Sequence, residues 1–375
     1  QEIDALLDEI ANGGSGIPEL PYASIESKSV SPDQFAEIRQ KGCVIIRGVF
    51  ERKRAEIWNA ELGEYIEAND YFTKAREKAG LDKYFSHLKD AVPQIFGIYW
   101  SKPQVMARQD PAMAETKAFL NGLWDVRAPM GDEFDPSLDY AYADRTRRRQ
   151  PGDTTLGLSP HMDAGSYERW VDPAFQAVYA AVFEGHWQAY NPWKAAYRTQ
   201  TREFSSPAVA SMFRTFQGWT GLTEQGPNGG TLQLVPTTMS MPYMLLRALQ
   251  EDVAEDDLCG AQPGRALGAD QSHHAELLRG LTTIPTVYPG DTVWWHTDII
   301  HAVEQANLSR NWANVIYIGA SPACKKNQTY AALQARAFVA GKSAPDFAPE
   351  DYEVDFRGRA TLDDLTPLGR KQMGF

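Results

Sequence analysis

The stretch Tyr288-Pro-Gly-Asp-Thr-Val-Trp-Trp-His-Thr-Asp-Ile-Ile-His301-Ala-Val-Glu-Gln-Ala-Asn-Leu-Ser-Arg310 decides the fold class. It opens on a Pro-Gly-Asp turn and runs through β-branched and aromatic residues to His296. It resumes at Ile299 toward His301 before Asn307-Leu308-Ser309-Arg310 closes it. Short apolar runs punctuated in this way are strands joined by tight turns. Working outward, runs of the same texture lie near 154–162, 213–224, 230–236, 284–288, 292–296, 300–305 and 312–320, with Gly226-Pro227-Asn228-Gly229-Gly230 as the central turn. The series predicts a mainly β chain with helices (α+β). Its expected core is a double-stranded β-helix, a cupin-like jelly roll, with helices packed on one sheet. Segments near 171–212 and 240–280 interrupt the strands and read as inserts.

Ahead of the β series, Ser31-Pro32-Asp33-Gln34 is a helix start. Ser31 can cap, Pro32 suits the first helical position, Gln34 completes a capping box, and Gly42 stops the helix. Cys43 to Val49 reads as a strand. Ala55, Trp58, Leu62, Tyr65 and Ile66 recur at helical spacing over 51–68. A helix is expected around 110–124, and Phe96 to Gln104 reads as a strand ending in a loop. Residues 144–153, with Arg145, Arg147, Arg148 and Arg149, read first as a solvated loop and second as a binding patch. The expected organisation is one domain over 1–375: an N-terminal helical and strand region over 1–150, a jelly-roll core over 151–322, and a C-terminal helix and tail over 323–375.

The chain has 375 residues and a formal charge of −12. Such a surface repels phosphate backbones and anionic lipid, so neither nucleic acid nor membrane is an expected partner. Cys43, Cys259 and Cys324 are far apart, which disfavours a disulfide framework or a thiolate zinc site. Gln1 to Gly16 is acidic and lacks a basic-then-apolar signal pattern, and no apolar run reaches membrane-spanning length. A cytoplasmic location is expected.

The chemistry-bearing motif is Leu158-Ser159-Pro160-His161-Met162-Asp163. Residues two apart on a strand share a face, so His161 and Asp163 can offer a nitrogen and an oxygen to one ion. With His301 they form two histidines and one carboxylate, a set that leaves coordination positions open and suits Fe(II) oxygenases. His296-Thr297-Asp298 is a second pair of the same form, and no histidine follows His301. The distal partner for the first pair is therefore His301, with His296 as fallback and otherwise a core histidine. His273 and His274 lie in a polar stretch and are expected to be exposed. Arg310, nine residues after His301, offers a fork for a carboxylate. Thr231 beside the central turn and Gln104 after the early strand are further candidates for co-substrate contact. Of Trp294 and Trp295, alternation puts one in the core and the other near the metal.

The pattern His161-x-Asp163, Gly290-Asp291, His301 and Asn307-x-Ser309-Arg310 resembles the 2-oxoglutarate/Fe(II)-dependent dioxygenases of the phytanoyl-CoA hydroxylase-like group. Asn228-Gly-Gly-Thr-Leu-Gln-Leu-Val-Pro236 is similar to that group's central strand. With Tyr99-Trp100-Ser101-Lys102-Pro103-Gln104, the chain resembles more closely a bacterial and fungal branch known as a domain of unknown function. The resemblance implies Fe(II) and 2-oxoglutarate as cofactors, with His161, Asp163 and His301 on the metal and Arg310 on the far carboxylate. It also implies O2 and a small molecule as substrates, hydroxylation as the outcome, and succinate and CO2 as products. Asp163 and His301 stand 138 positions apart, a separation that the two inserts absorb. Two other readings remain: a cupin-type metalloenzyme that does not use 2-oxoglutarate (an isomerase or ring-cleaving dioxygenase), and a non-catalytic jelly-roll binding protein.

Overall fold

The helix opened by Ser31 runs Pro32–Lys41 with both halves of the capping box made, and Gly42 ends it in the left-handed conformation. The next helix, Arg52–Ala68, buries Ala55, Trp58, Leu62, Tyr65 and Ile66, the stripe expected from their spacing. A third spans Pro111–Asn121, and the long C-terminal helix spans Lys325–Ala340. The computed structural model describes residues 1–78, 94–154, 157–207 and 209–375. Among these, the strands are β1 (Glu19–Pro21), β2 (Cys43–Arg47), β3 (Ile95–Phe96), β4 (Asp135–Asp139), β5 (Thr146–Arg149), β6 (Leu158–Met162), β7 (Phe216–Gly221), β8 (Leu232–Leu234), β9 (Leu267–Gly268), β10 (Thr282–Thr283), β11 (Thr292–His296), β12 (His301–Val303), β13 (Ala313–Tyr317) and β14 (Pro322–Ala323).

The strands form a seven-stranded sheet ordered β1-β2-β11-β7-β13-β5-β3, a five-stranded sheet ordered β10-β8-β12-β6-β9, and a β14-β4 pair. Alternation along each strand divides its residues between two faces. Cys43, Ile45, Trp219, Val293, Trp295 and Val315 of the large sheet meet Leu232 and Leu234 of the small one in a shared core. Their neighbours Val44, Ile46, Phe216, Trp294 and Ile316 point the other way and pack with Trp58, Leu62 and Leu120 of the N-terminal helices. On the outer side of the small sheet, Met162, Val235 and Ile300 pack with Phe175 and Val182 of one insert and Met244, Leu245 and Leu277 of the other. Each of these buried side chains contributes roughly 1.5–3 kcal/mol.

Four expectations are corrected. Helices cover both sheets rather than one, because both outer faces are apolar. Residues 146–149 are a strand in the large sheet rather than a loop, and Arg147 and Arg149 are buried. Lys102–Arg108 is a helix capped by Ser101, so the segment ending at Gln104 is not a strand running into a loop. The strand expected at 284–288 is displaced to β10, with Val287 making an isolated bridge to Gln225. Residues 155–156 of the run expected at 154–162 lie outside the described residues. No helix of the described residues is long and apolar enough to cross a membrane.

Candidate metal centre

β6 and β12 are neighbours in the small sheet, and their register sets His161 directly opposite His301. The ring centroids are 4.2 Å apart. Asp163 follows β6 by one residue, after which Ala164 and Gly165 take positive φ and turn the chain away. His161 Nε2 lies 3.6 Å from Asp163 Oδ1, and His301 Nε2 lies 3.7 Å from Asp163 Oδ2. One donor atom from each of the three residues falls within 4.8 Å of the others.

The far side of each ring fixes its tautomer. His161 Nδ1 is 2.6 Å from Ser159 O, and His301 Nδ1 is 3.3 Å from Ile299 O. A carbonyl only accepts, so each Nδ1 carries a proton and each Nε2 faces Asp163. Burial, and then the charge of His161, push His301 down to about 3, so its imidazole stays neutral. Burial opposes the charge on Asp163, but His301, His161, Arg214 and the Gln217 amide outweigh it and hold the carboxyl below its usual value. Gln217, on β7 in the other sheet, donates Nε2–H to Asp163 Oδ2 at 2.7 Å. A neutral His301 imidazole and an ionised, amide-braced carboxylate, with His161 Nε2 turned to the same point, suit a divalent cation.

A pocket between the sheets carries this cluster on its wall. Leu158, Leu232, Trp219, Val303 and Val315 give it an apolar sleeve; Arg147, Tyr317 and Gln225 lie on that side. Tyr142, Asp144, Arg145, Val209, Arg214, Asp346 and Phe347 line the other side. Two buried polar atoms of pocket-lining residues, Gln217 Oε1 and Trp295 Nε1, have no hydrogen-bond partner among the described residues. Buried polar atoms are rarely left so. Their position beside the cluster fits a polar group bound there, so the residues present suit a metal with further ligands. Trp295 is the pocket-side member of its pair, 5.2 Å from the His301 ring, and Trp294 is the core-side member.

The remaining expected residues lie elsewhere. Arg310 is exposed in the turn before β13 and does not line the pocket. The register explains this: the inward positions of β13 are Val315 and Tyr317, and the strand begins only at Ala313. Gln104 is buried in its own helix start, where its Nε2–H donates to Ile98 O at 2.7 Å and its Oε1 accepts from Ser101. Thr231 reaches the pocket only through Gln225, whose Oε1 accepts its hydroxyl at 3.0 Å. The cations that do line the pocket are Arg145, Arg147 and Arg214. On β5, side chains alternate. Arg149 is spent on Asp153 and on the Glu304 and Gln305 carbonyls, and Arg148 turns outward to Asn59 O. Arg147 faces the sleeve and donates Nη2–H to Gly230 O at 2.6 Å. Among the described residues its Nε has no hydrogen-bond partner and no carboxylate is within ion-pair distance of it, while Tyr317 interacts with its guanidinium. Burial lowers its pKa while Tyr317 counters.

The second pair is built differently. His296 is fully buried and stacked on Trp124 at 4.7 Å and 9°. Its Nδ1 accepts from Asp298 N–H at 2.9 Å and its Nε2 faces Pro192 O at 3.1 Å, so both ring nitrogens are committed. Asp298 holds Arg198 at 2.9 Å and Arg169 at 3.6 Å and accepts from Tyr190 and Tyr179. This matches the expectation of a satisfied core histidine. His274, expected exposed, is buried as well.

The chain also matches known proteins over its whole length. The Gig2-like family model matches residues 2–375. YbiU of Escherichia coli K12, an uncharacterised protein, is 42% identical over 375 residues, covering all of this chain and 88% of its own. The solved structure of a Salmonella typhimurium LT2 protein, provisionally named an oxidoreductase, superposes with a TM-score of 0.94 at 40% identity, covering 100% of this chain and 89% of that one. That of GlcNAc Inducible Gene 2 (DUF1479) from Candida albicans does so with a TM-score of 0.80 at 26% identity, covering 100% and 84%. Where the motif resemblance implied a phytanoyl-CoA hydroxylase-like group, these matches carry the coarser assignment: the chain belongs to the Gig2-like family.

Proposed function

We propose that this protein is a non-haem Fe(II), 2-oxoglutarate-dependent dioxygenase that hydroxylates a small molecule. The observation that carries the reading is the pair of Nε2 atoms and the braced Asp163 carboxylate, gathered on the wall of a pocket that Arg147 also lines. Consecutive strands alternate between the sheets (β5 large, β6 small, β7 large, β8 small), as do β10 to β13. That alternation supports a jelly-roll reading.

His161, Asp163 and His301 would hold Fe(II). The metal with 2-oxoglutarate supplies O2 activation, ending in succinate, CO2 and one oxygen atom inserted into a substrate C–H bond. The residues do the rest. The two backbone carbonyls and Gln217 fix the ligand set before the metal arrives. The sleeve of Leu158, Leu232, Val303 and Val315 excludes water along an aliphatic dicarboxylate. Arg147, with Tyr317 beside it, would take the far carboxylate, the role that spacing had suggested for Arg310. An unpaired buried guanidinium is costly, and a carboxylate is its natural partner.

The test is an anaerobic titration of the purified chain with Fe(II) and then 2-oxoglutarate, followed by visible absorption. A charge-transfer band requiring both additions is expected. It should need ten-fold or more extra 2-oxoglutarate in Arg147→Gln, less in Arg147→Lys, and no extra in Arg310→Ala. Bound iron with no band on adding 2-oxoglutarate would sink the reading and favour a metalloenzyme that does not use it.

A further inference from the structure

On the side of the metal cluster away from Arg147, two further guanidiniums line the same pocket: Arg145, which lies over the Phe347 ring 3.7 Å from Asp144, and Arg214. β7 supplies the axis: Gln217 touches Asp163, Trp219 lies further into the sleeve, and Arg214 precedes the strand on the opposite side. Arg214 is nine-tenths buried. Among the described residues it makes no hydrogen bond and no ion pair; its contact is with the Tyr142 ring, 5.2 Å from the centroid. The surroundings are built to hold it. Tyr142 is pinned by its hydroxyl to Asp346 Oδ2 at 3.0 Å, and Asp346 is held in turn by Ser211 N–H and Oγ–H at 2.7 and 2.6 Å. Gly319, just beyond β13, leaves room for the arginine stem, since a Cβ there would come within 2.9 Å of Arg214 Cδ. A buried arginine whose five donors are uncommitted among the described residues is ready to take an anion.

We infer that Arg214 is the recognition residue for a carboxylate on the substrate, so that the enzyme acts on a small monocarboxylate whose apolar body lies against Phe347, Val209 and Pro207. This rests on the dioxygenase reading for what happens to the substrate, but not for its binding. The guanidinium fork matches the two oxygens of a carboxylate. Asp144 and Asp346 line the same side of the pocket, so a group with nearly two negative charges, such as a phosphate, meets repulsion there. Arg214 and Arg147 thus divide two anions between them, one on each side of the metal cluster, and the reacting C–H is held between.

The test uses three probes on the full chain in ligand-observed NMR titrations: phenylacetate, phenylacetamide and phenyl phosphate. The wild type is expected to bind phenylacetate at least ten-fold more tightly than phenylacetamide. Arg214→Gln should bring that ratio to about one, Arg214→Lys should keep part of it, and Arg147→Gln should leave it intact. An acid preference that survives Arg214→Gln, or no saturable binding of any probe, would overturn the inference. Phenyl phosphate binding more tightly than phenylacetate would overturn the monocarboxylate assignment. An Arg214-dependent acid preference without an Fe(II)/2-oxoglutarate band would retire the dioxygenase reading alone; the band without the preference would retire this inference alone.

Discussion

His161-Met162-Asp163 and His296-Thr297-Asp298 share one pattern and end up as opposites. In the first, each histidine of the cluster gives its Nδ1 proton to a carbonyl two residues away and keeps Nε2 free. In the second, His296 has both nitrogens occupied and a ring clamped on Trp124. Asp163 has one amide donor, two imidazoles at 3.6 and 3.7 Å and the charge of Arg214 at longer range; Asp298 has two arginines and two tyrosines. Among the described residues the first arrangement has no arginine or lysine in contact, and the second already has its own. The pairs are also coupled in one direction. Arg169, paired with Asp298, donates Nη2–H to Asp163 O at 2.8 Å and Nε–H to Gly165 O at 3.1 Å. The buried ion cluster therefore braces the turn that aims Asp163.

The comparison breaks most visibly in stability. Asp298→Asn leaves Arg169 and Arg198 uncompensated in the interior and is expected to cost about 3–5 kcal/mol in chemical denaturation. Asp163→Asn should cost less in the metal-free protein, because that carboxylate loses one amide hydrogen bond and longer-range attraction rather than two arginines in contact. Equal losses from the two would mean that both carboxylates are structural.

A second contrast concerns affinity. His301→Ala is expected to weaken Fe(II) binding by more than about 100-fold, since a direct ligand counts for at least as much as an outer partner. Gln217→Leu should weaken it by about 10–100-fold with the fold intact, the usual weight of a group that orients a ligand. Isothermal titration checks both. A Gln217→Leu protein with unchanged affinity would show that Asp163 needs no brace.

The third contrast is in pH. Burial, ahead of the opposing charge of Asp298, pushes His296 down to about 4. Above about pH 6.5 both folded and unfolded chains keep it neutral, and its contribution is complete. Between there and pH 4 the unfolded chain takes up a proton that the folded chain refuses, so stability falls with pH by on the order of 3 kcal/mol. In thermal melts across that window, His296→Asn should flatten the portion of the slope belonging to this residue. A variant whose slope superimposes on the wild type would contradict the assignment.

Much of this was legible in the sequence where local chemistry and burial agree. The capping box at Ser31, the stripe of Arg52–Ala68 and the turn at Pro289-Gly290-Asp291 are decided by neighbours in the chain. The preference for His161 over His296 rests instead on a distant partner, and β6 and β12 do bring His161 and His301 side by side. The arginine-rich run 145–149 was misread because a strand whose inward residues are cations carries no apolar alternation. Its pattern is set by what Arg147 and Arg149 meet across the sheet. Arg310 was misread because its spacing from His301 is right while the register of β13 begins too late to turn it inward. Gln217 and Arg214 went unnoticed because their contacts are with distant residues, Asp163 54 positions away for Gln217 and the Tyr142 ring for Arg214. The one trace was a polar residue at an inward position, Gln217, between apolar neighbours Phe216 and Trp219.

The most direct test of the contrast is the metal stoichiometry of three proteins, the wild type, His161→Ala and His296→Gln, loaded anaerobically with Fe(II), desalted and quantified per folded chain. The account predicts one ion in the wild type, none in His161→Ala, and one in His296→Gln even though that variant is the less stable. An ion retained by folded His161→Ala, or lost from folded His296→Gln, would contradict it.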